Sequence, residues 1–233
     1  MKWNWAARVA SPAVMLLALA ACGNEAQTAK PVAQASGDIA VLGREVRIVA
    51  LGDSLFAGYG LESGQSYPAR LEAALRARGI NARIMNAGVS GDTTGGGRDR
   101  LDFTLNGQVI APELAVISLG GNDMLRALPP EETRANLDAI LTTLSNRGIK
   151  VVLLGMLAPP NLGGDYAKAF NAIYPALAKK HDAALVPFFL QSLIDKPELV
   201  QADRIHPTAA GIDLLVKDTI DTVAEAVPIK PAG

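Results

Sequence analysis

Residues 46–55 read VRIVALGDSL. The first six, Val46–Leu51, are almost continuously apolar and rich in branched side chains, the composition of a parallel strand covered on both faces. Four residues, Gly52-Asp53-Ser54-Leu55, follow where such a strand would deliver the chain to the carboxyl edge of a sheet. Runs of strand length recur at Ala82–Met85 (ARIM), Leu114–Leu119 (LAVISL), Lys150–Met156 (KVVLLGM) and Ala184–Phe188 (ALVPF). Three of the five runs are nearly unbroken Val, Ile and Leu.

Helical patterns fill the gaps. Leu71, Ala74 and Leu75 form a stripe, with Ser66 and Pro68 as start signals and Gly79 as the stop. Leu137, Ile140, Leu141 and Leu144 form another, closed by Gly148. Phe170, Ile173, Tyr174 and Leu177 follow i, i+3, i+4, i+7, with Pro175 predicting a kink. Ile212, Leu215, Val216, Ile220 and Val223 mark a last helix. Strand alternating with helix implies right-handed crossovers, hence a three-layer α/β/α sandwich around a central five-stranded parallel sheet. The expected strand order is the flavodoxin-like 2-1-3-4-5.

The chain has 233 residues, 49% apolar and 19% charged, with a net charge of -1. That is too apolar and too nearly neutral for a disordered protein. No concentrated basic face exists to neutralise phosphates, so a nucleic-acid partner is not expected. The N-terminus differs from the rest. Lys2 and Arg8 precede an apolar run from Ala13 to Ala21, too short to span a membrane, and residues 1–21 read as a signal peptide. Cys22, the single cysteine, follows Leu19-Ala20-Ala21 directly and resembles the lipidated cysteine of a bacterial lipobox. The alternative is an ordinary signal peptide cleaved near Ala21. Residues 22–44 read as a flexible tether and 45–233 as one domain without a disulfide. The expected location is the periplasmic face of a membrane or the soluble periplasm. Gly23 does not resemble an inner-membrane retention signal, which favours the outer membrane.

In an open parallel sheet, ligands bind beyond the carboxyl ends of the strands. Four short motifs fall there: Gly52-Asp53-Ser54-Leu55, Ser90-Gly91-Asp92, Gly120-Gly121-Asn122-Asp123 and Asp203-Arg204-Ile205-His206. In this order they resemble the four blocks of SGNH (GDSL) hydrolases. Residues 166–189 and the segment GGNDMLR are similar to a periplasmic branch of arylesterases, thioesterases and lysophospholipases. The resemblance covers about residues 46–225. It implies an acyl-enzyme on Ser54, with the backbone N–H groups of Ser54 and Gly91 and the side chain of Asn122 as the oxyanion donors.

The chemistry asks for these residue types. A serine hydroxyl is a weak nucleophile until a base takes its proton. The sequence holds two histidines, and His181 sits at the end of a Lys-rich helix, where a cation suits the dipole. His206 is therefore the base, and Asp203 can orient its ring and stabilise the imidazolium. Asp53, Asp92 and Asp123 read as acceptors that organise loops. No G-x-S-x-G elbow, H-E-x-x-H or phosphate loop is present, so neither metal nor cofactor is expected. Met124, Leu125, Leu157, Ala158 and Pro159 are candidate walls for an acyl or aryl group. Aryl or short acyl esters, lysophospholipids and acyl thioesters all fit. The alternatives are a carbohydrate acetylesterase and a non-catalytic lipid-binding lipoprotein.

Overall fold

The computed structural model describes residues 41 and 43–228. The signal peptide, Cys22 and nearly all of the tether lie outside the described residues. Five strands form one sheet: β1 Val46–Gly52, β2 Ala82–Gly88, β3 Leu114–Ser118, β4 Lys150–Leu154 and β5 Ala184–Val186. All pairings are parallel, and the order is β2-β1-β3-β4-β5, as the alternating pattern predicts. Every residue of the central β3 is buried, which is why that strand reads as a continuous apolar run.

The helices are α1 Ser54–Ala57, α2 Tyr67–Ala77, α3 Thr94–Asn106, α4 Gly121–Leu125, α5 Pro130–Asn146, α6 Gly164–Asn171, α7 Ile173–His181 and α8 Ala209–Ala226. Helices α2 and α8 pack together, whereas α5 packs between α3 and α7. Tyr67 of α2 anchors the first layer. Its ring stacks on Phe56 at 5.1 Å between centroids, and its hydroxyl lies 2.7 Å from Thr219 Oγ1 of α8. Burying an aromatic of this size is worth about 2–3 kcal/mol, and the bonded hydroxyl avoids the cost of an unpaired polar group.

Two features depart from the sequence reading. The Phe170–Leu177 pattern becomes two helices rather than one kinked helix, with Ala172 between them. Pro175 has no N–H to give and its ring crowds the carbonyl of residue 171, so the first helix stops there. Helix α3 was not predicted, because its first turn is Thr94-Gly95-Gly96-Gly97, a poor intrinsic helix former. Thr93 caps it, accepting from the Gly96 N–H at 3.2 Å. Close packing adds to the cap: a Cβ on Gly97 would stand 2.4 Å from Leu119 Cδ1.

The chain leaves β1 toward β2 on one side, while β3 lies on the other. The strand order therefore reverses between β1 and β3, and a crevice opens above their carboxyl ends.

Candidate active site

Strand β1 ends at Gly52, and Asp53 caps α1 by accepting the Leu55 N–H at 3.0 Å. Ser54 is the first residue of that helix, so its hydroxyl stands at the crevice between β1 and β3. The loop before α8 brings His206 against it, with Ser54 Oγ 2.8 Å from His206 Nε2. On the other side of the ring, His206 Nδ1 lies 2.6 Å from Asp203 Oδ2. An ionised carboxylate only accepts, so Nδ1 carries the ring proton and Nε2 is left to accept from Ser54. Residues 152 apart in sequence thus complete one chain of hydrogen bonds.

The loop fixes Asp203 as well. Its Oδ1 accepts the backbone N–H groups of Ile205 at 2.9 Å and His206 at 3.0 Å. The turn requires Arg204 in the left-handed region, at φ 59°. The imidazole and the two backbone donors hold the Asp203 carboxyl down at about 2, so it is ionised throughout the neutral range. Tyr59 covers the imidazole, with ring centroids 4.4 Å apart.

Asn122 comes from α4, directly beyond β3. Its Nδ2 donates to the Asp92 carbonyl at 2.9 Å and lies 3.4 Å from Asp53 Oδ2. Gly120 permits this helix to start here. Its φ is +108°, and a Cβ would sit 2.1 Å from the Tyr174 hydroxyl, which donates to the Leu119 carbonyl. Buried Asp123 accepts from the Thr94 N–H at 2.8 Å, from Thr94 Oγ1 and from Thr133 Oγ1, binding α4 to α3 and α5. Asp92 accepts from Arg100 Nε at 2.6 Å, and the same guanidinium donates to the Gly52 carbonyl. All three loop aspartates serve as acceptors for neighbouring segments. Gly91, at φ +82°, lies beside Asn122 and Ser54 on the wall of one cavity. A hydroxyl paired to a base therefore faces an amide and a glycine turn, an arrangement suited to attack on a carbonyl.

Burial raises the Asp53 carboxyl from 3.8 to about 6, against the lowering effect of the Leu55 N–H and the His206 charge. Between those two values the folded state binds more protons than the unfolded state, so stability falls as pH rises through that window. The shift amounts to about 3 kcal/mol. Asp53→Asn keeps the helix cap and removes the titration. The stability of the variant relative to wild type should therefore increase by about 2 kcal/mol between pH 4 and pH 7 in urea unfolding. An unchanged difference at the two pH values would refute this.

The cavity has a volume of about 470 Å³, within the usual range for small-molecule sites. Ser54, Gly91, Asn122 and His206 line it together, and Met124 and Leu125 contribute apolar wall. Leu157, Ala158 and Pro159, read as wall from the sequence, do not line it. The Ala158 N–H donates to Asn171 Oδ1 at 2.7 Å and Ala158 is buried in the core, which turns that loop away. Met156 supplies the wall from this segment instead, joined by Leu55, Tyr59, Leu190 and Ile205. Tyr59, Leu190 and Ile205 lie outside any periodic pattern. For Tyr59 and Ile205 the one available signal was a large apolar side chain in an otherwise small or polar loop, whereas Leu190 follows Phe188 and Phe189 and bears no such mark. His181 is remote in role: it pairs with Asp138 of α5 at 2.6 Å, beside Lys180.

Comparison with known proteins agrees with this geometry. The GDSL-like Lipase/Acylhydrolase family matches residues 50–214. The crystal structure of AlinE4, an SGNH-hydrolase family esterase, is 57% identical, with a TM-score of 0.68 over 81% of this chain and all of that one. An arylesterase of Vibrio mimicus is 40% identical over 69% of this chain and 80% of its own length. Thioesterase 1/protease 1/lysophospholipase L1 of Escherichia coli (strain K12) is 38% identical over 69% and 74% respectively. With its four motifs gathered on one rim and the family match spanning them, this chain belongs to the GDSL-like lipase/acylhydrolase family of SGNH hydrolases.

Proposed function

We propose that the protein is a serine esterase acting on aryl or short acyl carboxylic esters, with Ser54 as nucleophile, His206 as general base and Asp203 as its orienting carboxylate. Ser54 Oγ bonds to the ester carbonyl carbon while its proton passes to His206 Nε2. The carbonyl oxygen becomes an oxyanion facing the N–H groups of Ser54 and Gly91 and the amide of Asn122. As the tetrahedral species collapses, the bond to the alcohol oxygen breaks and the His206 proton goes to that oxygen. Water then attacks the acyl-serine, gives its proton to His206, and a second collapse returns the proton to Ser54 Oγ and releases the acid.

One observation carries this reading: the unbroken Asp203–His206–Ser54 chain, at 2.6 and 2.8 Å, opens into an apolar cavity. Leu55, Met124, Leu125, Met156 and Leu190 suit an acyl chain or aryl ring, and the name of the Vibrio mimicus relative, an arylesterase, points to aryl esters. Lysophospholipids and acyl thioesters fit the same chemistry. Cys22 provides the lipid anchor of a bacterial envelope protein, on the strength of the sequence alone. Among the described residues, no helix is long and apolar enough to cross a membrane.

The test is covalent. A p-nitrophenyl alkylphosphonate should release one equivalent of p-nitrophenol, stop hydrolysis of p-nitrophenyl acetate, and leave its mass on the peptide carrying Ser54. Label on another residue, or inactivation without label, would refute the assignment. Rates on acetyl through palmitoyl esters, an acyl thioester, lysophosphatidylcholine and acetylated xylan then rank the substrates.

A further inference from the structure

Helix α4 grips the neighbouring donor loop at two consecutive carbonyls. Asn122 Nδ2 donates to the Asp92 carbonyl at 2.9 Å, and Arg126, the residue that ends the same five-residue helix, donates from Nη2 to the Gly91 carbonyl at 2.7 Å. The second contact crosses 35 positions of sequence and ties the turn that presents the Gly91 N–H to the helix that presents the Asn122 amide. Among the described residues no carboxylate pairs with Arg126, and this carbonyl is its hydrogen-bond partner. Gly91 itself has little rigidity to offer: at φ +82° and without a side chain, it can swing its flanking peptides unless something holds them. Arg100 fixes the far side through the Asp92 carboxylate, and the Asp92 N–H donates to the Val89 carbonyl at 3.1 Å within the turn, so Arg126 supplies the one side-chain bond among the described contacts that ties this peptide to α4 through the Gly91 carbonyl.

We propose that Arg126 is a positioning residue for the oxyanion site: by holding the Gly91 carbonyl it keeps the Gly91 N–H and the Asn122 amide at one fixed separation. The inference rests on the proposed serine mechanism and concerns how that mechanism's donors are aligned. Arg126 touches no reacting atom. Its effect falls on the step in which negative charge builds on the carbonyl oxygen, because preorganised donors stabilise the transition state more than the bound ester. Arg126 is exposed, so its bond to the carbonyl competes with water. Loosening the clamp therefore costs less than deleting a donor outright, which typically lowers turnover about 100–1,000-fold.

The experiment compares wild type, Arg126→Ala, Arg126→Met and Arg126→Lys on p-nitrophenyl butyrate. Met retains the apolar stem without a donor, and Lys restores one donor on a shorter reach. We expect kcat to fall about 10–30-fold in Ala and Met with KM changed less than about threefold. The rate of phosphonylation, which builds the same charge on a phosphoryl oxygen, should fall in parallel. Lys should recover part of the loss, and added methylguanidinium should raise kcat of Arg126→Ala. A loss carried by KM alone, kcat within twofold of wild type in both Ala and Met, or phosphonylation at the wild-type rate would each overturn the proposal. None of these outcomes touches the serine assignment, which fails only if the phosphonate labels another residue.

Discussion

Replacing Ser54 with alanine should lower kcat on p-nitrophenyl acetate by about 10,000-fold or more, because residues of such a hydrogen-bonded chain act as a unit and removing the nucleophile forfeits their joint effect. The substitution deletes one hydroxyl, whose partner, His206 Nε2, faces a water-accessible cavity. Unfolding free energy should therefore change by less than about 1 kcal/mol, as for most changes outside the core. Substrate affinity should hold as well, since the apolar wall is untouched. Ser90 lines the same cavity and makes a natural control. It has no imidazole at hydrogen-bond distance among the described contacts, so Ser90→Ala should stay within a few-fold of wild type. Steady-state kinetics on the two variants, with thermal melts beside them, decide the matter. A Ser54→Ala protein within tenfold of wild type would end the case for a serine enzyme here. So would one whose loss is matched by Ser90→Ala.

The parts of this molecule that the sequence foretold are those in which one physical cause dominates. Parallel strands buried on both faces must be apolar throughout, so β1, β3 and β4 stand out as runs. The strand order follows from that alternation with helices. Ligands on such a sheet bind past the carboxyl ends, so the short blocks carrying Ser54, Asn122 and the pair Asp203 and His206 stood out by their places in the chain, and the structure gathers them on one rim. Helix α3 escaped because two causes oppose each other. Its three glycines disfavour a helix locally, whereas the cap at Thr93 and the contact of Gly97 with Leu119 favour it once the sheet exists.

The cavity wall shows the same limit. Met124 and Leu125 were legible because they follow Asn122 in a short helix already placed on the rim. Leu157, Ala158 and Pro159 have an equally apolar composition, but composition does not say which way a loop turns. Here the Asn171 amide takes both the N–H and the carbonyl of Ala158, and the loop does not line the cavity. Arg126 shows the converse. In the string GGNDMLR it is one more charged residue, and its grip on the Gly91 carbonyl exists only in three dimensions.

Asp203→Asn should be the second most damaging change, lowering kcat by about 1,000–10,000-fold, by analogy with triads in which the amide fixes the wrong tautomer. The reason is specific to this loop. Asp203 Oδ1 already accepts two backbone N–H groups, from Ile205 and His206. An asparagine has one acceptor oxygen, and the two backbone donors claim it. Its NH₂ group is then left facing His206 Nδ1, which must surrender its proton to accept from it. The ring proton moves to Nε2, the nitrogen that must be bare to receive the Ser54 hydroxyl proton. Asp203→Ala leaves Nδ1–H to water and imposes no tautomer, so Asn should impair turnover at least as much as Ala, despite being closer in shape. The wild-type carboxyl, held near 2 by His206 and the two N–H groups, stays ionised at any pH where the enzyme is assayed. Its contribution to stability is complete above 3.8 and fades only as pH falls through about 2. The acid limb of a kcat/KM profile measured above pH 4 therefore belongs to another group. Activity of Asp203→Asn within tenfold of wild type would mean that the imidazole does not depend on this carboxylate for its tautomer, and that the 2.6 Å contact is an architectural bond of the loop.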